Sequence, residues 1–180
     1  MPWIFGYASL IFRPGFEFVE STPALVHGYE RRLDQGSPDH RGTPSAPGRV
    51  ATLILKDGAT CGGCAYRIEG PRVDEVLTDL DLREKGGYER VEVELTRVGS
   101  GKDGERFKAT TWIAPPGNPW YLGPTSIEAM VETVSHARGM SGPNKEYVLK
   151  LAEVLRELGF FDPAVADLAK RLVGEGRPSS

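Results

Sequence analysis

Long apolar runs are missing from this chain, and none of its segments is long enough to cross a bilayer as a helix. A membrane is therefore not an expected partner. Excess positive charge is missing as well. The 22 Lys and Arg against 25 Asp and Glu leave a formal charge of −3, which gives no electrostatic case for nucleic acid. Histidine is scarce: His27, His40 and His136 lie far apart, without the paired spacing of metal ligands. The two cysteines, Cys61 and Cys64, form a Cys-Gly-Gly-Cys run. Such a run can be a redox pair or half a zinc site. Zinc would need more ligands than the scattered histidines supply, and a redox pair usually opens a helix. Here the flanks read as strand, so the thiols are expected to be structural. The N-terminal Met-Pro-Trp-Ile-Phe-Gly has no basic region before an apolar stretch, so a signal peptide is not expected and the cytoplasm is the default location. No repeat or interior linker is visible.

What is present fits one sizeable domain over residues 1–173, with a Gly-, Pro- and Ser-rich tail at 174–180 expected to fray. The first half reads mainly as strands. Trp3 to Tyr7 is short and apolar, and Leu25 to Leu33 is mixed. Asp34 to Gly48 carries three prolines and reads as loop. Arg49 to Leu55 and Cys61 to Ile68 read as strands separated by a Lys56-Asp57-Gly58 turn. Tyr88 to Val98 alternates, with Val91, Val93 and Leu95 on one face, and Arg106 to Ala114 returns beyond a hairpin loop at 99–104. After Pro115-Pro116-Gly117 the pattern turns helical. Helices are expected from Ser126, from Ser141-Gly142-Pro143 with the proline in the first turn, and from Asp162-Pro163. The fold class is α+β: a strand-rich sheet or barrel flanked by helices, which concentrate in the C-terminal third.

The segment Pro71 to Glu84 holds an anomaly. Val73, Val76, Leu77 and Leu80 recur at the spacing of a buried helix face, and one turn further on lies Glu84. A carboxylate on that stripe costs free energy unless it is paired or its pKa moves. It also falls at the negative end of the helix dipole, before Gly86-Gly87. Both effects push its pKa up, which suits a general acid or base. The plainer alternative is a helix-end glutamate rotated into solvent.

Three further segments are dense in polar or special residues: Phe5-Gly6-Tyr7-Ala8-Ser9-Leu10, the loop Gly36 to Pro44 with Asp39, His40 and Arg41, and the stretch from Asn118 to Tyr147. The small residues after the first strand would let backbone N–H groups approach an anion. Arg41 on a rigid loop would suit a carboxylate. With Arg83-Glu84-Lys85-Gly86-Gly87-Tyr88, Tyr121-Leu122-Gly123-Pro124 and Ser141-Gly142-Pro143-Asn144, these segments resemble the ChaC-type γ-glutamylcyclotransferases, the glutathione-specific branch of that superfamily, from Trp3 to about Gly159. The resemblance implies a small mixed β-barrel with helices packed around it. It matches Glu84 to the family's catalytic glutamate, and Ile4, Phe5, Gly6, Tyr7, Ala8 and Ser9 to its substrate-binding turn. Arg41, Tyr88 and Tyr121 join Tyr7 as expected walls and donors. One departure stands out: the family's turn usually carries a second glycine where this chain has Ala8. If that position needs positive φ, alanine costs about 1 kcal/mol; if not, its methyl group narrows the pocket.

The reaction implied is intramolecular. The α-amine of a γ-glutamyl group attacks its own γ-carbonyl and closes 5-oxoproline; from glutathione, Cys-Gly leaves. No cofactor or metal is expected, and the partner is a small γ-glutamyl substrate. Two rivals belong to other classes. A hydrolase built on Ser9, His40 and Asp39 lacks a G-x-S-x-G elbow, and adjacent Asp39 and His40 orient poorly. A non-catalytic binding module on the same scaffold is the other. Within the enzyme reading, γ-glutamyl amino acids or γ-glutamylamines are alternative substrates.

Overall fold

The structure, a computed structural model, describes residues 2–84, 86–99, 101 and 103–174. Strand β1 (Trp3–Gly6) leads into a one-turn helix α1 (Ser9–Phe12) and then two very long strands, β2 (Glu20–Ser37) and β3 (Gly48–Arg67). Helix α2 (Val73–Arg83), strands β4 (Glu89–Arg97) and β5 (Arg106–Ile113) and helix α3 (Ile127–His136) follow. A two-stranded ribbon, β6 (Arg138–Gly139) and β7 (Gly142–Pro143), precedes α4 (Asn144–Glu157) and α5 (Pro163–Gly174).

The five principal strands form a closed barrel in the order β1-β3-β2-β4-β5. Its seam is the parallel pairing of β1 with β5 at Ile4 and Thr110; the remaining pairs are antiparallel. The mixed barrel flanked by helices is as expected, and α3, α4 and α5 fill the C-terminal third.

Several local expectations are corrected. Lys56-Asp57-Gly58 does not separate two strands. Strand β3 runs through it and pairs with β2 from Ser37 opposite Gly48 to Glu20 opposite Arg67. The extra residues are absorbed as a bulge between the pairs Tyr29–Leu55 and His27–Thr60, with Gly28 and Gly58 both at positive φ. A turn-like tripeptide thus bends a strand rather than ending it. Residues 34–37, read as loop, belong to β2, so the true connection is 38–47. Pro143 sits at the N-cap of α4 rather than in its first turn. The 99–104 connection and the tail beyond Gly174 fall partly or wholly outside the described residues, and Gly174 itself ends α5.

Two apolar clusters hold the fold. Inside the barrel Phe5, Val26, Leu53 and Leu95 meet Val148, Leu151 and Leu155 of α4 and Leu168 and Leu172 of α5. Beneath α2 a smaller cluster gathers Ile4, Leu10, Ile68, Leu80 and Trp112, with Val73, Val76 and Leu77 packed against it. Strand alternation sends Ile4 to one cluster and Phe5 to the other. Each such side chain contributes about 1.5–3 kcal/mol by leaving water. The stripe that ends at Glu84 therefore does face a core.

The Cys-Gly-Gly-Cys run is explained by packing. A Cβ on Gly62 would overlap the Phe160 ring, and one on Gly63 would strike the Gly6 carbonyl and the Phe5 ring. Both cysteines are buried free thiols, and burial pushes the Cys61 thiol up to about 11. That is opposite to the lowering a redox nucleophile needs.

Candidate active site

Glu84 caps the C-terminus of α2, and its amide donates to the Leu80 carbonyl at 2.9 Å. Its side chain is 17% exposed, so it points inward rather than into solvent. Oε1 lies 3.4 Å from Arg83 Nε. Burial raises its pKa; the Arg83 guanidinium pulls the other way, and the Asp39 carboxylate adds to the rise. The neighbouring Arg83 is a clamp. Its Nη1 donates to the carbonyls of Arg13 and Pro14, each at 3.0 Å, and its Nη2 to Ser9 Oγ at 3.3 Å. The end of α2 is thereby tied to the turn after β1.

That turn is fixed from several sides. Thr111 Oγ1 donates to the Phe5 carbonyl at 2.8 Å. Arg31 Nε donates to the Tyr7 carbonyl at 2.8 Å. The same guanidinium donates to the Gly62 carbonyl and pairs with Asp162 at 2.5 Å. A Cβ on Gly6 would sit 2.8 Å from Leu10 Cβ, so only glycine lets α1 fold back here. Ala8 has φ −133°, outside the left-handed region. The positive-φ penalty therefore does not apply, and its methyl group narrows the pocket.

Across from it, the 37–41 loop is stitched down. Ser37 Oγ accepts from the Arg41 amide at 3.0 Å and donates to Asp39 at 3.3 Å. The carbonyls of Asp39 and His40 accept from the amides of Met140 and Ser141. Between this loop, the 7–9 turn and the end of α2 lies a cavity of about 370 Å³, floored by Tyr7, Tyr88 and Tyr147. That is a volume for one small ligand. The Tyr7 hydroxyl donates to the Trp112 carbonyl and the Tyr88 hydroxyl to the Ala51 carbonyl, both at 2.7 Å. Tyr147 differs: its hydroxyl oxygen accepts from the Ala51 amide at 3.0 Å, which leaves its own proton to donate. Burial pushes all three phenols up, Tyr147 to about 12, so they stay protonated at neutral pH.

The hydrolase arrangement is not assembled. Ser9 Oγ accepts from Arg83, His40 Nδ1 is 2.9 Å from Ser141 Oγ, and His40 Nε2 is 3.9 Å from Asp39.

The description "ChaC-like protein" matches residues 2–174, nearly the whole chain. The chain belongs to the ChaC-like family. It is 39% identical to Gamma-glutamylcyclotransferase 2-3 of Arabidopsis thaliana, an alignment covering 94% of this chain and 87% of that protein. It is 41% identical to human Glutathione-specific gamma-glutamylcyclotransferase 1, over 87% and 71% of the two chains. The crystal structure of the yeast gamma-glutamyl cyclotransferase specific to glutathione superposes with a TM-score of 0.90 at 26% identity, over 96% of both chains.

In this ChaC-like chain the expected site residues divide. Tyr7, Ala8, Ser9, Arg41, Glu84 and Tyr88 share the cavity wall. Ile4, Phe5, Gly6 and Tyr121 are not on it. Ile4 and Phe5 are fully buried in the two cores, and Gly6 serves the close approach to Gly63 and Leu10. Tyr121 instead hydrogen-bonds Asp34 at 3.5 Å. Tyr7 and Tyr88 act as walls, because their protons are committed to backbone carbonyls. Arg41 is held by the Pro143 carbonyl at 3.0 Å and Glu146 at 3.5 Å. Arg83 and Tyr147 were not singled out from sequence. Tyr147 stands on the buried face of α4, and its helical spacing gives no sign that its tip reaches a cavity.

Proposed function

We propose that this protein is a γ-glutamylcyclotransferase that converts glutathione to 5-oxoproline and Cys-Gly, with Glu84 as the proton carrier. The observation that carries the proposal is an inward-facing carboxylate of raised pKa on the wall of a small cavity, in a ChaC-like chain. The substrate amine must lose a proton to become nucleophilic. Glu84 takes that proton, and a second leaves the same nitrogen as the new C–N bond closes the lactam; relayed in turn through Glu84, one reaches the Cys-Gly nitrogen as the old C–N bond breaks and the other completes its ammonium. The proton count is conserved and no water is consumed. Tyr147 is the wall phenol with a proton to offer a developing oxyanion, and the backbone N–H groups of the 7–9 turn are further donors. The stitched walls hold the substrate bent, which gains rate by orientation. Among the described residues no helix is long and apolar enough to cross a membrane. A cytoplasmic location and a small-molecule partner, with no nucleic-acid or membrane partner, complete this reading.

Purified protein incubated with glutathione and with γ-glutamyl-alanine tests it. We expect 5-oxoproline from glutathione and little from γ-glutamyl-alanine. Release of free glutamate would show hydrolysis and overturn the proposal. Preference for γ-glutamyl-alanine would move the substrate to γ-glutamyl amino acids.

A further inference from the structure

Glutathione presents two carboxylates and one ammonium. If the ammonium faces Glu84 and the γ-glutamyl end lies against the 7–9 turn, the glycyl carboxylate must point toward the mouth of the cavity. The described basic side chains on the wall are Arg13, His40, Arg41 and Arg83. Arg83 is spent on three protein oxygens and on Glu84. Arg41 is held by Glu146 and the Pro143 carbonyl, and His40 by Ser141 and Asp39. The Arg13 guanidinium is exposed and makes no hydrogen bond or ion pair among the described residues.

Its backbone, by contrast, is held firmly. The Arg13 amide donates to the Ser9 carbonyl at 2.8 Å, and its own carbonyl accepts from Arg83 beside Glu84. Pro14 and Gly15, at φ +77°, then turn the chain away. Arg13 is thus a free cation on a fixed base, one helical turn beyond Ser9. That turn is a rise of about 6 Å. The two residues of Cys-Gly span at most about 7 Å. The Arg13 backbone is therefore anchored within about the length of Cys-Gly from Ser9, and its side chain lines the same cavity.

We infer that Arg13 reads the carboxylate of the glycyl end and so selects γ-glutamyl tripeptides with a free C-terminus. This inference rests on the glutathione reading above. An arginine suits the task because its planar donors match a carboxylate, and its exposed setting makes the attraction sensitive to salt.

The test is a cycle of substrate against side chain. Glutathione and its glycinamide analogue, in which the terminal carboxylate is a neutral carboxamide, are assayed for 5-oxoproline release with wild type, Arg13→Gln and Arg13→Lys. Wild type should prefer the acid by about tenfold in kcat/KM, the low end for a charge-assisted hydrogen bond at an exposed site. Arg13→Gln should lose about that factor on glutathione and less than about twofold on the amide, so that the preference disappears. Arg13→Lys should keep much of it, and the wild-type preference should shrink with added salt. Equal losses on both substrates, or no loss on glutathione, would overturn the inference while leaving the cyclotransferase reading intact. A wild-type protein that forms 5-oxoproline from neither substrate would overturn both.

Discussion

Arg31→Met is the substitution whose cost the structure specifies most fully. The Arg31 side chain is 2% exposed and links three segments: the turn at Tyr7, strand β3 at Gly62 and the start of α5 at Asp162. Methionine fills a similar volume, so the main loss is polar. Two backbone carbonyls lose a charged donor, and one carboxylate loses its cation. Asp162 is not stranded, because its Oδ1 still accepts from the Val165 amide at 3.1 Å and sits at a helix N-terminus. Removing one member of a fully buried pair costs about 3–5 kcal/mol, and the residual cap on Asp162 places this case near the lower bound, about 3 kcal/mol. For a chain of this size that is a drop in Tm of about 6–12 °C. Urea unfolding of wild type, Arg31→Met, Asp162→Asn and the double variant measures both the cost and the coupling. Asp162→Asn in the Arg31→Met background should cost little, because the partner is already gone. A loss below about 1 kcal/mol for Arg31→Met, or effects additive to within about 0.5 kcal/mol, would refute this account of the turn.

Other outcomes follow from the site. The acid limb of kcat against pH should lie above the ordinary glutamate value of about 4.3, because burial holds the Glu84 pKa up. Arg83→Gln removes the cation that opposes that rise and should move the limb higher still; a limb that stays or falls would contradict the assignment. Ala8→Gly should lower stability by up to about 1 kcal/mol through the unfolded state, since Ala8 is not at positive φ. A gain in Tm would show hidden strain. Cys61 and Cys64 should react with a thiol reagent at pH 8 only after denaturation, and the Cys61→Ala/Cys64→Ala variant should keep turnover within about tenfold, roughly 1.4 kcal/mol of barrier. Rapid labelling of native protein with loss of activity would restore a role for the thiols.

Periodicity made much of the fold legible. The alternation in β4, the helical stripes of α3 and α4 and the Ser126 and Asp162 caps all read directly, because each is a local pattern with a local cause. The single β3 was not legible: a Lys-Asp-Gly bend inside a strand looks like a hairpin until its partner β2 is seen to continue past it. Glu84 was visible as a carboxylate where an apolar residue belonged. Arg83 and Arg13 were not, because an arginine gives no local sign in the sequence of what it clamps or leaves free. The place of Tyr121 was not legible either, since a tyrosine near Gly-Pro suits a cavity wall as well as the bridge it makes to buried Gln35 and Asp34.

The most direct test of the central claim is Glu84→Gln, which keeps the shape and removes the proton acceptor. Turnover of glutathione should fall by about 10²–10⁴. The melting temperature should hold or rise at neutral pH. A carboxyl whose folded pKa is raised costs stability once it ionises, and that cost fades as pH falls through the folded value toward about 4.3. Any gain from the amide should therefore vanish in acid. Lost turnover with a retained melting temperature is the result this account predicts. A folded Glu84→Gln protein that releases 5-oxoproline at near the wild-type rate would contradict it.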